Sequence, residues 1–142
     1  VATATLDADL ILPRRLAMRI LAVAQNAQPQ RIGGVVGDDG SGPVGFMSLR
    51  NSAATPETQV LHVPTDIAAA HLALRGRTLD LWAYVISHPA AAAEPSAEDF
   101  KSSAFPNALH LVISLSTKGV LEMRAWRLEN GKPQEKVLKI RD

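Results

Sequence analysis

At 142 residues, 46% of them apolar and 20% charged, the chain has the length of one domain, 1–142, and enough apolar surface to bury a core. Its 15 basic and 14 acidic residues leave a formal charge of +1 and are spread along the sequence, which argues against nucleic acid or an anionic membrane as partner. There is no cysteine, so disulfides, thiolate nucleophiles and cysteine-ligated zinc are excluded, and any metal needs His, Asp or Glu.

The opening stretch Val1 to Leu12 has neither a charged start nor a long apolar core, so it reads as neither a secretory signal nor a membrane span, and a cytoplasmic location is expected. Pro13 suits a first helical position, and Leu12, Leu16, Ile20, Val23 and Ala27 then recur three or four apart, the stripe of a helix packed on a core. Pro29 ends it. Arg31 to Gly37 reads as a glycine-rich strand, Asp38-Asp39-Gly40 with Gly42-Pro43 as a turn, and Val44 to Leu49 as a second strand. No helix start follows Gly33-Gly34, so the pair is expected to allow close backbone packing rather than to cradle a phosphate. Asn51 to Glu57 reads as a loop and Val60 to Val63 as a brief strand. A helix then begins after Pro64, with Ile67, Ala70 and Leu74 inward and Gly76 closing it.

The apolar run Leu79 to Ile86 predicts a buried strand that Pro89 stops just after Ser87-His88. Ser96, after Pro95, is placed to cap a short helix with Asp99 in its first turn, so a histidine at a strand end faces a carboxylate at a helix start. Leu109 to Ser116, Val120 to Leu128 and Val137 to Arg141 complete a meander, with Lys118-Gly119 and Asn130-Gly131 as hairpin turns.

Between His88 and Ser96 lie seven residues, and between Ser96 and Asp99 two. This spacing resembles the JAMM metalloproteases, also called the MPN or JAB domain, whose motif is a glutamate, then His-x-His, seven residues, Ser, two residues, Asp. The element order and the tail Arg124-Ala125-Trp126-Arg127-Leu128 with Asn130-Gly131 are similar to bacterial stand-alone members that trim sulfur-carrier proteins. The resemblance implies an α+β domain, a mixed β-sheet flanked by helices. In active relatives two histidines and the aspartate hold zinc, the glutamate takes a proton from the bound water, and the serine donates to the developing oxyanion. Mapped by position, His88 and Asp99 match two zinc ligands and Ser96 the serine, but Ile86 stands where the first histidine belongs and Arg31 where the glutamate belongs.

Alternating side chains put Ile86 on the same side of the strand as His88, so the ligand set falls from three to two. Arg31 cannot act as a base and opposes a nearby dication, though it is able to pair with Asp99. Gln30 cannot accept a proton, Asp80 lies about 20 Å up the strand, and His62, His71 and His110 read as surface or packing residues; Glu57 is a distant substitute base in a loop. The expectation is therefore a JAMM-fold module without peptidase activity and without a cofactor. It would bind a ubiquitin-like or sulfur-carrier protein, as a homodimer or beside an active JAMM partner. The alternative is a zinc metallopeptidase acting on such a carrier through an unorthodox site.

Overall fold

The computed structural model describes residues 10–101, 103–116 and 121–142, with positions 97 and 98 by backbone alone. In chain order the elements are β1 (Leu10–Pro13), α1 (Arg14–Ala27), β2 (Gly33–Asp38), β3 (Pro43–Leu49), α2 (Pro64–Gly76), β4 (Asp80–His88), α3 (Ala97–Lys101), β5 (His110–Ser114), β6 (Glu122–Glu129), β7 (Lys132–Lys136) and β8 (Leu138–Arg141). Six strands form a mixed sheet in the order β3-β2-β4-β5-β6-β7, and β1 pairs with β8 in a separate parallel ribbon.

The period of two in the central strands divides the core between the two faces of the sheet. Val36, Ala83, Val85, Leu111 and Ile113 pack with Leu16, Ala17, Ile20 and Ala24 of α1. On the opposite face Val35, Tyr84, Ile86 and Val112 pack with Ala70 and Leu74 of α2 and with Phe105. Within the sheet only β4 and β5 are parallel neighbours, and a parallel pair demands a crossover. Residues 89–109 supply it, which brings α3 back over the carboxyl end of β4, where His88 is the last strand residue.

Three sequence expectations change. Leu12 belongs to β1 and Pro13 caps α1 from outside, because this short strand is claimed by β8 at the far end of the chain. Lys132–Lys136 is a further edge strand, exposed or half-buried throughout, which an apolar pattern does not mark. Val60 to Val63 joins no sheet. Its neighbourhood is held instead by one side chain: Asn51 Nδ2 donates to the carbonyls of Arg31 (3.0 Å) and Gln59 (2.9 Å), and Asn51 Oδ1 accepts from the N–H groups of Ala53 and Leu61 (both 3.1 Å). The Asn130-Gly131 turn has φ of 53° and 75° at its two central positions, as a two-residue hairpin between β6 and β7 requires. The Lys118-Gly119 turn, Val120 and most of the opening stretch lie outside the described residues. Among the described residues no helix is long and apolar enough to cross a membrane.

Candidate functional site

Ser87 is fully buried, and its hydroxyl accepts the N–H of Ile32 at 2.8 Å while its own N–H donates to the Ile32 carbonyl at 3.2 Å. The chain entering β2 is thereby fastened to the end of β4. Arg31, one residue earlier, has its own N–H on the Pro56 carbonyl at 2.8 Å, so its backbone is fixed from both sides. From the crossover, Ser96 and Asp99 bond reciprocally: the Ser96 hydroxyl accepts the Asp99 N–H at 3.1 Å and Asp99 Oδ2 accepts the Ser96 N–H at 2.9 Å. This is a capping box with aspartate in place of glutamate, and it sets the direction of the carboxylate.

Those two constraints bring three sequence-marked side chains together. His88 Nε2 lies 3.4 Å from Asp99 Oδ2, and Arg31 Nη1 lies 3.7 Å from Asp99 Oδ1. The second distance is an ion pair without a hydrogen bond, and the first leaves buried Nε2 with no aligned partner. His88 Nδ1 donates to the Ala92 carbonyl at 2.9 Å, which orients the ring and turns Nε2 toward Asp99. Ile86 sits beside them, sharing a void of about 20 Å³ with Arg31, Tyr84 and Asp99. Ser96 lines the same cleft as His88 and Asp99, its hydroxyl oxygen accepting the cap hydrogen bond.

Burial works against the charge of Asp99, but the adjacent His88 ring, the Ser96 N–H and the Arg31 guanidinium outweigh it and hold the carboxyl below its usual range. A depressed folded value means that the stability Asp99 contributes is complete above the unfolded carboxylate range of about pH 4 and is lost as the pH falls through the lower folded value. Asp99→Asn keeps an acceptor for Ser96 and removes only the charge. Its deficit against the wild type in urea midpoint should therefore be largest at neutral pH and shrink in acid. A deficit independent of pH would mean that charge is not what Asp99 contributes.

The cleft above these groups has a volume of about 670 Å³. One wall is Thr58 to Leu61 and the other runs from Ala91 to Ser96. Side chains of β6 and β7 pin the second wall: Trp126 Nε1 donates to the Ala93 carbonyl at 3.0 Å, and Arg124, bound to Glu135 at 2.6 Å, also reaches Glu94 at 3.1 Å. The first wall is anchored behind by His62, whose Nδ1 donates to the Arg50 carbonyl at 2.8 Å and whose Nε2 accepts the Tyr84 hydroxyl at 2.6 Å. Burial lowers the His62 pKa and raises that of Tyr84, so both are neutral and the direction of this bond is set.

Of the other residues considered from sequence, His110 is buried between Phe100 and Tyr84, its Nε2 accepting from Ser103 Oγ at 2.9 Å; His71 and Glu57 are exposed and off the cleft; Asp80 is at the opposite end of β4. Gln30 is exposed and does not line it either. Asn51, Tyr84 and Trp126 shape the cleft and carry no sequence signal of doing so, because Tyr84 and Trp126 act through contacts 22 and 33 residues away and Asn51 through contacts eight and ten residues away.

Zinc is the ion this constellation would hold, and two ligands of tetrahedral zinc, each about 2.0–2.1 Å from it, stand about 3.3 Å apart, close to the His88 to Asp99 separation. The fit ends there. Among the described residues no group of three His, Asp or Glu is placed to hold a metal ion, and a guanidinium stands against the carboxylate.

Among the solved structures that share the architecture are the following three. A protein of Desulfitobacterium hafniense is 23% identical with a TM-score of 0.81, covering 94% of this chain and 93% of that one. A Salinibacter ruber protein is 22% identical with a TM-score of 0.63, covering 94% and 92%. A JAB1/MPN domain protein from Archaeoglobus fulgidus is 17% identical with a TM-score of 0.61, covering 94% and 99%. At these identities the likeness carries the fold. No curated protein matches the chain. The family described as prokaryotic homologs of the JAB domain matches residues 13–129, most of the length, and the chain is therefore a member of the prokaryotic JAB/MPN domain family.

Proposed function

We propose that this domain binds the tail of a ubiquitin-like or sulfur-carrier protein and does not hydrolyse it. The observation that carries the reading is the donor set at the floor of the cleft: two zinc-type donors, with Ile86 and Arg31 occupying the places of the missing histidine and base. The cleft itself is independent of that chemistry. Its wall at Val60 has a backbone with no hydrogen bond among the described residues, next to Leu61 at 52% exposure. An extended peptide adds to such a segment by main-chain pairing and needs small side chains to lie flat, as a Gly-Gly tail does.

The test is an NMR titration of the labelled domain with a ubiquitin-like carrier bearing an intact Gly-Gly tail and with the same carrier truncated before it. Shifts at Gln59 to Leu61 and His88 with the intact carrier alone, and no cleavage, are expected. A second reading, a zinc peptidase with a rearranged site, draws on the 3.4 Å spacing of His88 and Asp99. Stoichiometric zinc in the purified protein, with cleavage of a carrier fusion that His88→Ala abolishes, would establish it in place of the first.

A further inference from the structure

The Arg31 side chain is only 18% exposed, yet none of its N–H groups is hydrogen-bonded among the described residues; Nε is buried without a partner, and Nη1 stops 3.7 Å short of Asp99 Oδ1. An arginine so far withdrawn from water with its donors unused is costly, and its planar fork is complementary to a carboxylate. Asp99 Oδ1, beside it, is likewise without a hydrogen bond, the Ser96 N–H going to Oδ2. Directly behind, His88, its side chain 5% exposed, points an unpartnered Nε2 at the same carboxylate. All three side chains line the open cleft.

We infer that this floor is a receptor for the terminal residue of a peptide: Arg31 takes the free C-terminal carboxylate and Asp99 Oδ1 accepts the N–H of the same residue. A peptide terminus carries an anion and an N–H donor within one residue, which is the order in which the cleft offers unused donors and an unused acceptor. The charges of Arg31 and Asp99 cancel, so a bare dianion such as phosphate meets as much repulsion as attraction, whereas a monoanion with an adjacent donor satisfies both. Glu94, also on the cleft, is drawn off by Arg124. This rests on the proposed tail-binding role and sharpens it: the domain distinguishes a free, processed tail from one whose terminus is tied up in an amide or an adduct.

The experiment compares two synthetic decapeptides ending in Gly-Gly, one with a free carboxylate and one with a terminal amide, by calorimetry and by the His88 ring signals in NMR, with acetate and inorganic phosphate as controls. The free acid should bind about tenfold or more tightly than the amide, the difference expected for lost charge-assisted hydrogen bonds. Arg31→Gln, which removes no side-chain hydrogen bond from the folded chain, should erase that preference, the acid peptide falling to the affinity of the amide. Equal binding of the two peptides to the wild type overturns the inference and leaves tail binding standing. Binding of neither overturns both. Saturation by acetate or phosphate as strongly as by the acid peptide reduces the site to an oxyanion pocket and also overturns it.

Discussion

Changing Ile86→His and Arg31→Glu together is expected to give a folded protein that binds zinc about a thousandfold or more tightly than the parent. The first substitution adds an imidazole on the face of β4 that already carries His88, next to the void shared by Ile86, Arg31 and Asp99. The second removes a cation 3.7 Å from one of the two existing donors. Two unit charges about 4 Å apart interact by about 4 kcal/mol at an effective dielectric constant of 20, and a dication feels twice that. Relief of this repulsion alone is worth more than three powers of ten, before the third ligand is counted. Ile86→His by itself should gain little, since the guanidinium remains. Calorimetric titration of zinc into the parent, the two single variants and the double variant checks this; a double variant that folds with the parent's affinity would mean that the floor of the cleft is not a broken zinc site.

The placement of His88, Ser96 and Asp99 was legible in the sequence because the parts that set it are local. A proline that stops a strand, a serine that caps a helix and a carboxylate three residues on are each set by neighbours, so His88, Ser96 and Asp99 could be placed by counting. The core strands were legible for the same reason: β4 and β5 are continuous apolar runs between breakers. What escaped is what distant residues decide. The β1 strand exists only because β8 lies beside it, and β7 is an edge strand whose Lys-Pro-Gln-Glu-Lys text has no buried face to announce it. Val60 to Val63 has strand-like residues, but Asn51 takes up the N–H of Leu61 and the carbonyl of Gln59 with its side chain, so the segment joins no ladder of the sheet. The same competition that defeats the strand leaves Val60 open on the cleft. Arg31 was placed by counting back from Gly34, and only the tertiary structure reveals why its register holds: Ser87 grips Ile32 with hydroxyl and backbone together.

Gly33→Ala should destabilise the protein by about 2–4 kcal/mol, a large change for a single methyl group. A Cβ at this position would stand 2.5 Å from the Tyr84 hydroxyl and 2.6 Å from His62 Nε2, the two atoms of a buried hydrogen bond. Neither side can retreat freely. Tyr84 is held between Phe105 and His110, with ring centroids 5.2 and 5.4 Å away, and His62 is tied through Nδ1 to the Arg50 carbonyl. The methyl group therefore both overpacks the sheet and parts a donor from its acceptor away from water. Because that bond anchors the wall formed by Thr58 to Leu61, the damage should reach the cleft, and amide exchange at Leu61 should quicken beyond the global loss of stability. Tyr84→Phe removes the nearer of the two atoms that the added Cβ meets and the hydrogen bond with it, while keeping the ring contacts and leaving His62 in place. Gly33→Ala should cost less in the Tyr84→Phe background than alone, a coupling that urea denaturation of the four proteins measures directly. Equal costs in both backgrounds would mean that the glycine answers to the neighbouring strands rather than to the pair that braces the cleft.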